Sequence, residues 1–271
     1  MVLLNARMAV HKTEVCHNLV SGDGDFVNGG AFFVYSSGQL AVSESLLCHN
    51  RLESSGMGSF VAGGAIAGFI GSLVTATQTE LLFNTVRGGM YAVGGACYMT
   101  KLSEAHFLRA VFIGNSVDGG LVSNEGGALY LDSTMRLRMS DSELRNNSAT
   151  GARPLGGAIW SAAESADLVN TSLLQNRVVV SRALGYGGAI HVNSGFLRLD
   201  RCRVHANVAE SLRDSVGAGG GRPSPGLARR PPVAVPPPSG ALGGCRDSGQ
   251  RTPASDPGAA ARGETEHTPF L

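Results

Sequence analysis

The chain has 271 residues, enough for one large or two small domains. Its 22 basic and 21 acidic residues nearly cancel, which leaves no electrostatic case for a nucleic-acid partner. Glycine is abundant at 38 residues, and ten of the eleven prolines lie at or beyond Pro223, so two stretches of different character meet near residue 213.

The opening Met1-Val-Leu-Leu-Asn-Ala-Arg7 is too short and too polar for the apolar core of a signal peptide. Met8 to Asn18 then lies over Leu40 to Asn50 with a shift of 32 residues, so the chain opens partway through a repeating unit. No atypical cap precedes that half-unit. A solenoid ends in one, so the expectation is a piece of a longer protein or an imperfect gene model.

Six full units follow. Gly-Gly-Ala begins at Gly29, Gly63, Gly94, Gly126, Gly156 and Gly187. An Asn closes each unit, at Asn50, Asn84, Asn115, Asn147, Asn176 and Asn207, with Asn18 closing the half-unit. From each Ala to its Asn the distance is 18 or 19 residues, whereas the next stretch varies. A rigid part alternating with a variable loop is what stacked coils require.

The columns give the physics. Three residues before each Asn stand Val15, Leu47, Leu81, Phe112, Leu144, Leu173 and Val204, all apolar. Two further back stand Thr13, Ser45, Thr79, Ala110, Ser142, Thr171 and Cys202, all small. Inward positions two apart, as at Leu137 and Met139, belong to strands and not to helices. The glycine-interrupted apolar run around 60–76 shares the repeat and reads as a buried coil, so no transmembrane segment is expected. In register, the seven Asn form a ladder in which each amide bonds its neighbours. The Gly-Gly pair supplies a corner where backbones bend or approach closely.

Gly-Gly-Ala-Ile at Gly63, Gly156 and Gly187, with Phe112-Ile-Gly-Asn115, resembles the paired repeats of the polymorphic outer membrane proteins of chlamydiae. More broadly, residues 5–210 resemble right-handed parallel β-helix proteins of the pectate-lyase-like type. That resemblance implies an all-β, right-handed parallel β-helix of about seven coils over residues 1–212. It also implies a surface or extracellular adhesin-like role, although no barrel-like run of strands follows residue 210. From 213 to 271 too few apolar side chains remain to offset ordering entropy, so this tail reads as disordered, with a polyproline II stretch at 231–238.

In the β-helix enzymes that the chain resembles, the strand after Gly-Gly-Ala carries the binding face. Its unusual column is Phe33, Ala67, Tyr98, Tyr130, Trp160 and His191. If the flanking positions face the core, these side chains point outward. Phe33, Tyr98, Tyr130, Trp160 and His191 then become the candidate binding residues, suited to sugar rings or to the apolar patch of a cell-surface protein. Catalysis would need converging carboxylates. Asp132 is alone in its column, so no catalytic residue is assigned.

Cys16-His17 and Cys48-His49 fall one coil apart. Adjacent strand residues point to opposite faces, so the four do not converge on one zinc ion, and no metal or other cofactor is expected. A Cys16–Cys48 bridge is compatible with strand spacing. Asn146-Asn-Ser148 and Asn170-Thr-Ser172 fit the glycosylation sequon. The reading favoured is a non-catalytic surface or secreted module for adhesion or recognition, glycans included. The alternatives are a pectate-lyase-like carbohydrate-active enzyme and a spacer segment of a larger repeat protein.

Overall fold

A computed structural model describes residues 1–181 and 185–211. The tail assigned above to disorder, with its polyproline stretch, lies outside the described residues. The described residues form one compact unit. Every named strand pairs in parallel with its equivalent one coil away, and no helix occurs among the described residues. The architecture is an all-β parallel solenoid of about seven coils.

One coil shows the plan. Leu129–Asp132 forms the first strand, Arg136–Ser140 the second, Glu143–Arg145 the third, Ser148–Gly151 the fourth and Pro154–Leu155 the fifth. Gly156-Gly157-Ala158 then leads into Ile159–Ala162 of the next coil. Stacking produces four seven-stranded sheets and one five-stranded sheet. The fifth strands run through Phe26–Asn28, Phe60–Ala62, Tyr91–Val93 and Ser123–Glu125. The sequence columns do not signal this fifth sheet, because it lies in the stretch of variable length.

Two apolar cores fill the coil. The larger, inside the first three sheets, contains Leu129 and Leu131, Leu137 and Met139, and Leu144, with their equivalents above and below. The smaller, between the fourth and fifth sheets, contains Leu52, Val61, Val86, Ala92, Val117, Ala149 and Val178. The apolar column before the Asn is fully buried from Leu47 to Leu173 and half-buried or exposed at Val15 and Val204.

Between the cores the chain narrows to a waist, where both repeat signatures lie. On one side runs the Asn ladder. Asn84 Nδ2 donates to Asn115 Oδ1 at 3.0 Å, and Asn115 Nδ2 to Asn147 Oδ1 at 3.0 Å. The series extends from Asn18 to Asn207. Each acceptor oxygen also receives the backbone N–H of the preceding Asn, as from Asn84 N at 3.0 Å. Each second amide proton goes to the apolar column, Asn115 Nδ2 to Leu81 O at 2.8 Å. Every polar atom of an interior ladder amide is thereby satisfied without water, which burial demands.

The residue before each Asn adopts the left-handed conformation, whether it is His49 (φ 52°), Phe83 (φ 54°), Gly114 (φ 65°) or Gln175 (φ 54°). A non-glycine residue in that region costs about 1 kcal/mol, so the ladder imposes this corner on whatever side chain stands there. On the other side of the waist, the first glycine of each pair has φ between 63° and 75°. The second packs against the start of the fourth strand. A Cβ on Gly127 would stand 2.7 Å from the backbone of Ser148.

Candidate functional site

The register places Phe33, Ala67, Tyr98, Tyr130, Trp160 and His191 directly above one another. Their neighbours Phe32 and Val34, Cys97 and Met99, Leu129 and Leu131 belong to the larger core, so this column is on the outer face of the first sheet. It is nevertheless covered. Tyr98, Tyr130 and Trp160 are only 5, 8 and 7 % exposed, and they cluster with Ala62, Val93 and Leu155 of the fifth sheet.

The reason lies in the Gly-Gly turn. Val61 and Ala92 point into the smaller core, so Ala62 and Val93 are on the outer face of their own sheet. Residues on the outer faces of both sheets touch, so the two sheets close on each other as an inside corner. The aromatic side chains fill that corner. Tyr130 lies on Trp160 with centroids 4.3 Å apart and planes 6° apart, and on Tyr98 at 5.4 Å and 13°. Phe69 continues the row at 4.9 Å from Tyr98, and Phe33 stands 5.4 Å from Phe69. His191 is half-buried at the far end, 6.3 Å from Tyr186. Burial lowers the pKa of His191.

Stacking along the solenoid axis decides what the row can offer. The faces of Tyr98, Tyr130 and Trp160 are occupied by one another, and the phenols are engaged within the corner, Tyr98 with Thr100 and Tyr130 with Glu125. The indole Nε1 of Trp160 is sealed from solvent and has no hydrogen-bond partner among the described residues.

The corner also gathers charge that the columns hide. Glu125 is the last residue before Gly126, in the fifth sheet, in register with Val93 and Leu155. It accepts hydrogen bonds from the Ser123 hydroxyl and from the Tyr130 phenol. Burial raises the Glu125 pKa, outweighing those two bonds and the nearby Arg153 guanidinium. Burial also raises the pKa of Tyr130, reinforced by the carboxylates of Glu125 and Asp132. Asp132 thus has a second carboxylate close by, contributed by another sheet. Glu125 escaped the sequence reading because its column holds Asn28, Ala62, Val93 and Leu155, with no second acid.

At the opposite side of the coil, Cys16 and Cys48 form a disulfide with Cα atoms 4.5 Å apart. The His17 and His49 rings stack at 4.9 Å, and Phe83 continues that stack at 5.2 Å from His49. Cys97 is fully buried, which pushes its thiol up to about 12. Among the described residues, no helix is long and apolar enough to cross a membrane.

Fold and corner together define the class: a parallel β-solenoid whose repeat signatures build its waist and whose outer inside corner holds an aromatic row beside two carboxylates. No family model matches the chain, and comparisons with curated proteins and with solved structures likewise return no match.

Proposed function

We propose that this solenoid is a non-catalytic surface or secreted recognition module, an adhesion element whose partner is a glycan or a cell-surface protein. The observation that supports this reading best is the inside corner, where the Tyr98 and Tyr130 hydroxyls, Glu125, Asp132 and Arg153 lie together along one seam. With the ring faces taken, contact would run through the carboxylates of Glu125 and Asp132, which would accept hydrogen bonds from the hydroxyls of a hydroxyl-rich ligand. The Cys16–Cys48 bridge fits an oxidising compartment. The Gly-Gly-Ala and Phe-x-x-Asn resemblance to adhesin-like passengers of chlamydiae, and to pectate-lyase-like β-helices, points the same way.

The test is binding of the purified chain to a glycan array and to intact cells, compared with Glu125→Gln and Asp132→Asn. Loss of about tenfold or more in affinity, the cost of an unpaired polar group in a recognition site, supports the reading. Binding that ignores both substitutions moves the site elsewhere, and silence on both surfaces favours the spacer.

A second reading, cleavage of an acidic polysaccharide, is favoured by one observation. Glu125, held towards its protonated form by burial, shares Tyr130 with the Asp132 carboxylate. A buried acid beside a second carboxylate is the pairing that glycoside cleavage uses. Release of new chain ends from polygalacturonate or alginate, abolished by Glu125→Gln, would establish this reading over recognition.

A further inference from the structure

Zinc is set aside above because Cys16 and His17, like Cys48 and His49, are adjacent and point apart. The strand period offers another ligand. Glu14 stands two residues before Cys16 and so shares its face of the third sheet. One carboxylate oxygen of Glu14 and the sulfurs of Cys16 and Cys48 all lie within 4.8 Å of one another. Ligands on a tetrahedral zinc ion stand about 3.5–4 Å apart, given metal–ligand bonds near 2.0–2.3 Å. The Glu14 oxygen therefore lies within reach of both sulfurs, which are bonded to each other and must part before a zinc ion can sit between them.

We propose that Glu14, Cys16 and Cys48 form a redox-gated site for a thiophilic divalent cation such as zinc, closed while the disulfide is intact and opened by its reduction. A dithiol reductant delivers two electrons and two protons to the S–S bond and is itself oxidised to a disulfide. The cation then displaces the two thiol protons and takes two thiolates and the Glu14 carboxylate, leaving a fourth position for water. Two surroundings support the open form. The backbone N–H of Cys48 points at Cys16 Sγ, 3.1 Å away, and would stabilise a thiolate there. Glu80 lies two coils along in the column of Glu14 and lines the same open groove, where Glu44 is paired with Lys12 at 3.6 Å, so Glu14 and Glu80 leave the approach net negative. Glu14 is exposed and Cys16 half-buried, so a cation arriving from solvent meets the carboxylate first.

The experiment uses the full chain carrying Cys202→Ser and Cys245→Ser. Position 202 belongs to the column of small residues that holds Ser45 and Ser142, so serine suits it. Cys97 is buried with its thiol held protonated and does not compete. The protein is reduced with dithiothreitol, desalted without oxygen and titrated with Co²⁺, and the thiolate-to-metal charge-transfer band is followed. Zn²⁺ displacement gives the affinity, and Trp160 emission confirms that the fold persists. The expected result is one ion per reduced chain and none per oxidised chain. Glu14→Gln should weaken binding at least about tenfold, the scale on which even ligand-orienting groups act. No uptake after reduction, equal uptake by the oxidised chain, or unchanged affinity in Glu14→Gln would each overturn the proposal.

Discussion

Gly127 and Ser148 touch across the waist of the coil, so the start of one repeat unit rests on the residue that follows its closing Asn147. A Cβ at Gly127 would come within 2.7 Å of the Ser148 backbone and would also strike the carbonyl oxygen of Gly157 in the next coil. Backbone cannot yield as a flexible side chain can. Gly127→Ala is therefore expected to cost about 3 kcal/mol, the upper range for overpacking. Urea denaturation measures it. Gly24→Ala is the control, because nothing lies within 4 Å of its added Cβ and its φ is not positive. That substitution should be neutral or stabilise slightly.

The Asn ladder makes a position-dependent prediction. Replacing Asn115 by Leu removes the acceptor of the Asn84 backbone N–H and takes one partner each from the Asn84 amide, the Leu81 carbonyl and the Asn147 oxygen, all buried. Losing partners for several buried groups should cost about 3 kcal/mol or more. Asn18 is exposed and ends the row, so Asn18→Leu should cost about 1 kcal/mol. Equal costs at the two positions would show that the amides are not coupled to burial.

Trp160 is the single tryptophan of the chain and sits in the sealed corner. Its fluorescence should be blue-shifted and resist acrylamide quenching until the solenoid unfolds. Trp160→Ala removes a ring stacked on Tyr130 and should destabilise by about 3–5 kcal/mol, whereas Trp160→Phe preserves the stack and costs less.

Stability should depend on pH through Glu125 and His191, with different signs and windows. The Glu125 pKa is raised on folding, so its contribution is complete below the ordinary carboxyl value of 4.5 and is lost as pH climbs through the folded value. Glu125→Gln should abolish that decline. The His191 pKa is lowered, so its contribution is present above the ordinary 6.5 and is lost as pH falls through the folded value. His191→Asn should flatten the second slope and leave the first unchanged. Urea midpoints across the acid-to-neutral range resolve the two.

Much of the fold was legible because the solenoid writes each structural need several times. Seven Asn at matching intervals announce a ladder, and six Gly-Gly pairs announce a place where no side chain fits. The inside corner was not legible. Whether Tyr98, Tyr130 and Trp160 face water depends on how the fifth sheet turns at Gly-Gly, and alternation along one strand is silent on that angle. Glu125 was missed because it is a single departure in its column, and a function borne by one coil leaves no periodic trace. Glu14 has no acid next to it in its column, where Leu46 stands one coil on, and strand geometry unites it with Cys16, two residues away, and not with a neighbour in sequence.

The waist also makes the coil a unit of length. Each coil touches the next through the same backbone bonds, the same Asn pair and the same glycine contact. Excising residues 127–156 would join Gly126 to Gly157 and set Asn115 against Asn176, restoring every kind of contact in a shorter molecule. Inserting one residue in a strand would instead turn its core side chains outward. Recombination can therefore add or remove whole coils far more easily than single residues, and the protein is a text edited by the line and not by the letter.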